Sequence, residues 1–461
     1  KFDDGETGKT LKAEAAFKKF LEAEEICFFR NLYFSQDTTE LERDSGLRAA
    51  RQHFADLVGK EVDPERIARG FGWGPGASTR LARRKGDHCY KYSGTPEVTP
   101  NAYALGCAVI QCNPLWKQSV PLGGLPASVW GSRMDTVAKN YKIDRTICIE
   151  PDLNMFVQKG VGAFLRQRLR AKGGINLDSQ DANREGARDL SLATIDFSMA
   201  SDSVSQGLVR FLSPAFLLDW IQWTRSEFTV FPDKTLHRLS KVSSMGNGFT
   251  FELETAIFLS LARAVVPQCE WSRILVYGDD VLLPVAYADD YLQLCHKAGF
   301  TPNRDKTHTE GPFRESCGMH VHSGFDVTPF FIRRPVNDLP ELFLLHNNLR
   351  RWRDRVDPLL SSRQYDSVTR LLRSLRRLAP SEWRRPRLPD GYGDGAFIGS
   401  FAEVQPRLHR DKHGYTGWEY FSSVVILEQA EERQTRVPGL LVKALTQGGP
   451  QEILPGIFER V

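Results

Sequence analysis

Apolar positions along this chain fall into blocks whose spacing switches between helical and strand-like periods. Residues 11–35 place Phe, Leu and Ile at helical intervals among Lys and Glu, which predicts an amphipathic helix. After Asp144 the run RTICIEP predicts a short strand, and residues 154–169 predict a helix. Residues 171–190 are polar and read as loop. The run LSLATIDF is compact, β-branched and ends on Asp196, the pattern of a buried strand that delivers a carboxylate at its tip. Residues 249–266 are apolar with Glu252, Glu254 and Arg263 interspersed and predict a buried helix. In RILVYGDDVLLPV two apolar runs flank a turn, which predicts a β-hairpin. Pro335 and Pro340 bracket a boundary before a C-terminal helical region. Residues 70–94 are rich in Gly and basic groups and read as a loop, either one that approaches phosphates or a flexible surface segment.

At 461 residues and 41% hydrophobic composition, the chain buries an ample core and is too long for one simple layer packing, so two or three subdomains are expected. No apolar run approaches the roughly 18 residues of a membrane span; the best candidate, AIFLSLARAVV, is interrupted by Arg263. There is no signal peptide pattern. Eight Cys without a CxxC pair, and no His pair at ligand spacing, indicate neither a zinc site nor a secreted disulfide scaffold, and favour reduced thiols in a cytosol. The first residue is Lys1, not Met, which suggests a fragment, a processed product or an incomplete reading frame.

Net charge is only +4, but its distribution is uneven. Between Arg350 and Arg387 stand twelve Arg and four acids, a local excess of eight on an otherwise slightly acidic chain. Such a stretch is an electrostatic footprint for a polyanion, or else a solvated helix face.

The two adjacent carboxylates of the hairpin turn, Asp279 and Asp280, carry the candidate chemistry. Like charges about 4 Å apart at an effective dielectric near 20 repel by roughly 4 kcal/mol, a penalty that hard divalent cations remove. With Asp196 on a neighbouring strand tip they form a set able to hold two Mg²⁺ ions, with Mn²⁺ as a substitute, for nucleotidyl transfer. Gly-Asp is also ordinary turn chemistry, and a GDD tripeptide turns up by chance in roughly one chain in ten of this length. Companions in order lift it above chance: DFSMASD upstream, with Asp202 six positions after Asp196, then SSMGNG at residues 243–248.

With these motifs the sequence resembles the RNA-directed RNA polymerases of positive-strand RNA viruses, most closely the replicase β subunits of the single-stranded RNA bacteriophages. The similar segments are IDRTICIEPDLNMF, ATIDFSMASDSVS, SSMGNGFTFELE, VYGDDVLLP, TEGPFRESCG, VTPFFIR and LPDGYGDGAFIGS. They cover roughly residues 140–400, and the start without Met suggests that an N-terminal part of the family's chain is missing.

The resemblance implies that Asp196, Asp279 and Asp280 bind the metals and that Asp202 recognises the ribose 2′-hydroxyl, although Asp202 also suits the cap of the following helix. It implies that Ser243, Ser244, Gly246, Asn247 and Gly248 lie beside template and incoming nucleotide, and that Lys142 and Arg145 grip the triphosphate. Lys306 corresponds to a general acid for pyrophosphate. His320 and His322 read as exposed strand residues, not metal ligands.

The implied fold is α+β, a right hand. Residues 1–190 form the fingers; residues 191–335 form an antiparallel-sheet palm with a fingers insertion near 211–240; residues 336–461 form a mainly helical thumb and C-terminal region. Implied partners are RNA template and product, ribonucleoside triphosphates, host elongation factors Tu and Ts and a small-subunit ribosomal protein. No membrane is implied, and the place of action is the host bacterial cytoplasm. Two rivals remain: a reverse transcriptase, from which Asp202 and Gly278 depart, and a non-enzymatic RNA-binding or virion protein with structural carboxylates.

Overall fold

The computed structural model describes residues 5–36, 41, 43–139, 143–410, 412–414, 416–420 and 422–423. The described chain divides into two compact units, one of residues 5–311 and one of residues 312–423.

In the first unit the framing elements run in the following order. Helices α1 (Gly5–Phe34) and α2 (Ser45–Val58) lead. Strands β1 (Ser132–Ala138) and β2 (Asp144–Ile149) precede helix α3 (Asp152–Arg168). Strands β3 (Leu192–Ile195) and β4 (Phe197–Ser198) precede helix α4 (Gln206–Leu212), then β5 (Phe228–Val230) and β6 (Leu236–Arg238). Helix α5 (Thr250–Val265) leads into the hairpin β7 (Leu275–Tyr277) and β8 (Asp280–Pro284), and β9 (Thr301–Pro302) follows. The helix at residues 11–35, the strand at RTICIEP, the helix at 154–169, the strand at LSLATIDF, the helix at 249–266 and the YGDD hairpin all form where the periodicity places them.

The central sheet has the order β3-β8-β7 and is antiparallel throughout, with Val281 opposite Ile195 and Asp280 opposite Tyr277. Short β9 pairs antiparallel with β4, Thr301 opposite Ser198. A separate four-stranded sheet, β2-β1-β5-β6, is mixed, because β1 and β5 pair in parallel. Helix α5 is apolar nearly all round and buried nearly all round, as a helix without a polar stripe must be. Its Phe258 stacks on Phe197 at 4.6 Å between ring centroids, which braces the chain next to Asp196 from below. Each such fully buried Phe contributes about 1.5–3 kcal/mol of burial.

Two loop expectations are corrected. The polar stretch 171–190 holds a π turn ending at Gly173 and a short helix, Asp181–Gly186, whose Asn183 donates to the Asp280 carbonyl at 3.0 Å. The Gly-rich stretch 70–94 is packed and not a flexible surface segment. Trp73 and Tyr92 are buried against Trp116 and Phe156, and Arg80 donates to the buried Asp152 at 3.0 Å. Aromatics drive that segment inward despite the glycines that surround them.

The second unit, residues 312–423, opens with the meander β10 (Phe313–Ser316), β11 (Met319–His322) and β12 (Phe325–Asp326). His320 is half-buried 3.6 Å from Glu315, and His322 is exposed. Helices α6 (Leu339–Val356) and α7 (Ser362–Leu378) follow. A capping box at Ser361 and Gln364 starts α7. The core of this unit gathers Leu342, Phe343, Ala379 and Phe397. Among the described residues no helix is long and apolar enough to cross a membrane, and every described cysteine is a free thiol.

Candidate active site

Three strand ends and one turn meet at a carboxylate floor in the first unit. Asp196 follows β3 directly. Its carbonyl accepts from the Asn303 amide at 2.8 Å and its Oδ2 accepts from Asn303 Nδ2 at 2.8 Å, so the loop after β9 orients this side chain. Asp279 and Asp280 come from the β7–β8 hairpin. Gly278, before them, has φ +63 and donates its amide to Thr255 Oγ1 at 3.1 Å. A Cβ there would stand 2.6 Å from the Phe251 ring, so both the left-handed backbone and the space demand glycine.

Asp279 is half-buried. Burial first, and then the charge of Asp196, push its carboxyl above the ordinary range, while Arg145 and Lys139 pull it back. Glu254 on α5, absent from the sequence-based site, lies under the same turn. It accepts from Ser201 Oγ at 2.7 Å, and burial first, then Asp279, raise its carboxyl well above the ordinary range. Three acids thus crowd one place without enough built-in positive charge. Asp280 is half-buried and paired through its backbone with Tyr277.

Cations approach from the β1–β2 hairpin and from the loop after β9. Lys139, another residue missed by motif reading, feels Arg145, Asp196, Lys306 and Asp279; partial desolvation, then Arg145, lower its pKa. Arg145 and Lys306 are exposed. Lys142 lies outside the described residues.

Asp202 closes a 3-10 turn, Ala200–Asp202. It does not cap the next helix: the Ser205 side chain caps α4, accepting from the Leu208 amide at 3.2 Å. Asp202 Oδ1 instead accepts from the buried Lys241 Nζ at 2.7 Å.

The loop at residues 243–248 runs along β2. The Cys148 amide donates to the Met245 carbonyl at 2.8 Å. Gly246 has φ +112, and a Cβ there would lie 2.3 Å from the Cys148 carbonyl oxygen. Ser243 and Ser244 are buried, with Thr250 Oγ1 donating to Ser243 Oγ at 2.8 Å. Asn247 Nδ2 donates to Glu150 Oε1 at 3.4 Å, and the Gly248 amide donates to Gln158 Oε1 at 3.1 Å. Glycine here lets two backbones touch, and of the two serine hydroxyls that of Ser243 is engaged by Thr250 while the buried Ser244 Oγ has no hydrogen-bond partner among the described residues.

Among the described residues no three His, Cys, Asp or Glu side chains already stand as a metal cage. The donor chemistry nevertheless fits a hard divalent cation: oxygen ligands only, pressed together against their own repulsion, with Asp279 held toward its protonated form in the absence of such an ion.

The arginine-rich region is less uniform than its composition. On α6, Arg350 pairs with Glu403 at 2.6 Å, Arg351 with Asp390 at 2.8 Å, Arg353 with Asp354 at 2.5 Å and Arg355 with Asp326 at 3.5 Å. On α7, Arg370, Arg373 and Arg377 are exposed and have no carboxylate partner among the described residues, whereas Arg376 is half-buried.

A family model described as RNA replicase, beta-chain matches residues 1–413. The RNA-directed RNA polymerase subunit beta of Enterobacteria phage SP is 40% identical over 411 residues, covering 87% of this chain and 69% of that one. The subunit of the same name from Escherichia virus Qbeta is 38% identical over 411 residues, covering 87% of this chain and 68% of that one. Among solved structures, an insertion loop deletion mutant of the RNA-dependent RNA polymerase of a human picorbirnavirus aligns at 13% identity with a TM-score of 0.34, covering 54% of this chain and 56% of that one.

Proposed function

The chain belongs to the RNA replicase beta-chain family, and from that premise we propose that its carboxylate floor adds ribonucleotides to a growing RNA strand by two-metal-ion nucleotidyl transfer. It is an RNA-directed RNA polymerase that serves viral replication. The observation that carries the mechanism is the crowding of Asp196 and Asp279 at adjacent strand ends, where the one raises the pKa of the other. Asp196, Asp279 and Asp280 would hold the ions, Mg²⁺ or Mn²⁺. When bound, hard divalent ions neutralise this floor, activate an attacking hydroxyl and stabilise pyrophosphate as it leaves.

The chain's own groups do the rest. Asn303 fixes the Asp196 carboxylate. Arg145 and Lys139, at the β1–β2 hairpin, meet the triphosphate charge as it builds on the leaving group. Lys306, in the loop after β9, hands a proton to pyrophosphate. Asp202 accepts from the ribose 2′-hydroxyl through the oxygen that Lys241 leaves open, and Asn247, held by Glu150, faces the nascent base pair.

In right-hand terms the fingers are residues before 191 together with 211–240, the palm is 191–210 and 240–335, and the thumb starts at 336. The antiparallel sheet β3-β8-β7 over α5 supports the palm assignment. Host elongation factors Tu and Ts and a small-subunit ribosomal protein are proposed partners on family resemblance, with action in the host cytoplasm.

Primer extension on an RNA template, with Mg²⁺ and either ribo- or deoxynucleotides, tests the reading. Ribonucleotide extension is expected. Preference for deoxynucleotides would make the chain a reverse transcriptase, and no incorporation at all would return the carboxylates to a structural role. Gly278 already weighs against the former, since a larger residue there meets Phe251.

A further inference from the structure

Lys241 stands two residues before the SSMGNG loop, and its side chain is fully buried. Burying an ammonium costs several kcal/mol unless its charge and donors are met. Here the charge is met from two sides, and one donor is met by Asp202. Nζ lies 2.7 Å from Asp202 Oδ1 and 3.8 Å from Glu24 Oε1 on α1, and 3.4 Å from the centroid of the Phe20 ring on the same helix. Burial opposes the charge, but Asp202 and Glu24 more than offset it and raise its pKa.

The two partners are also fixed at their backbones. The Lys241 carbonyl accepts from Arg225 at 3.0 Å, and the residue bridges Ser205. The Asp202 carbonyl accepts from Cys27 Sγ at 3.5 Å, and the preceding residue, Ser201, is tied to Glu254. Glu24 in turn accepts from the Ser240 amide at 2.5 Å. Asp202 Oδ1 is therefore occupied in one orientation. Its Oδ2 has no hydrogen bond among the described residues.

We propose that Lys241, clamped between Asp202 and the Phe20–Glu24 segment of α1, is a positioning residue for sugar selection: it locks the Asp202 carboxylate in the rotamer that presents Oδ2 to a ribose 2′-hydroxyl. This rests on the reading of Asp202 given above. A carboxylate free to rotate would accept from the hydroxyl only part of the time, and it would discriminate less well against a sugar that lacks one. Lys241 itself touches no substrate. The device reaches from the N-terminal helix to the floor, so α1 contributes to nucleotide choice through Lys241.

The test is a double-mutant cycle read as the ratio of kcat/KM for GTP to that for dGTP. Lys241→Gln is expected to lower the ratio at least fivefold, mainly through the GTP arm, and Asp202→Ala to lower it further. In the double variant Lys241→Gln/Asp202→Ala the ratio is expected to equal that of Asp202→Ala, because Lys241 has nothing left to position. A merely structural lysine would lower both substrates alike and leave the ratio unmoved. The ratio is formed within one preparation, so a smaller folded fraction cancels.

Should Lys241→Gln be inactive through its unpaired Asp202, Lys241→Arg carries the test: it keeps the charge but displaces the donor, so its ratio is expected to fall more than twofold, and a parental ratio overturns the proposal. A Lys241→Gln ratio within twofold of the parent overturns the proposal. So does a double variant that is inactive, or lower in ratio than Asp202→Ala. If Asp202→Ala itself leaves the ratio unchanged, the Asp202 reading is what fails.

Discussion

Two regions of this molecule concentrate charge of one sign under opposite conditions. In the first unit Asp196, Asp279 and Glu254 are half-buried or buried; beyond burial itself, Asp196 raises the pKa of Asp279 and Asp279 that of Glu254, while the nearest cations reach them from flanking loops. In the second unit Arg370, Arg373 and Arg377 share α7 in full contact with water. Exposed like charges a turn apart cost a few tenths of a kcal/mol; the same crowding in a partly desolvated recess costs several times more. A cluster of one sign signals function in proportion to its desolvation. By that measure the floor is poised for a cation, and α7 is only available to an anion. Helix α6 gives the contrasting case within the same arginine run, because its guanidiniums are already answered by Asp326, Asp354, Asp390 and Glu403.

The strongest way to break this comparison is Asp279→Asn. It should cut nucleotide addition by at least about 100-fold, since loss of a direct ligand should exceed the 10–100-fold typical of the outer shell, with an unchanged circular dichroism spectrum. Parental extension rates with parental Mg²⁺ dependence would remove the floor's role. Next in size is Lys306→Arg, which keeps the cation facing the acids but offers a far poorer proton donor. Single-turnover incorporation should slow by about tenfold or more with little change in nucleotide affinity, and a normal rate would leave Lys306 an ordinary solvated lysine.

A third prediction concerns pH. Carboxyls raised above their unfolded values make the folded protein hold extra protons. The contribution of Asp279 and Glu254 to the stability of the metal-free protein is then greatest at the acid end and declines as pH rises from about 4 through their raised values. Glu254→Gln removes the most buried of these charges. Urea unfolding should show it matching the parent near pH 5 and exceeding it by about 1 kcal/mol near pH 8; equal curves at both pH values would mean that Glu254 is not held protonated.

The smallest effect belongs to the exposed region. Replacing Arg370, Arg373 and Arg377 with Gln should reduce the log–log salt dependence of RNA binding by roughly two units, at about 0.7 per phosphate contact for single strands, and weaken all sequences alike. Filter binding across a salt series decides it. An unchanged slope in a folded variant would assign α7 to a protein partner.

Sequence reading located most of this because the decisive signals are local. A β-branched run ending on Asp196, a glycine before two aspartates and an apolar stretch of helical length each specify an element and put its chemistry at a strand tip or turn. Lys241, Glu24, Glu254, Lys139 and Asn303 escaped it. Apart from Glu254, which ends the SSMGNGFTFELE segment, none belongs to a motif, and each matters through a partner far along the chain: Lys241 meets Asp202 across 39 positions, and Asn303 meets Asp196 across 107. Composition overstates the free positive charge of residues 350–387 for a related reason, as three of the four acids that neutralise α6 lie outside that stretch.

The sequence by itself determined which residues end the strands of the floor, which glycines turn the chain and which helix is buried, because backbone dihedral preference and hydrophobic period act over a few residues. Only the tertiary structure decided which charges are matched. Burial and pairing depend on surfaces brought together from distant segments, and the same Asp that caps a helix in one setting is held by a buried lysine in another.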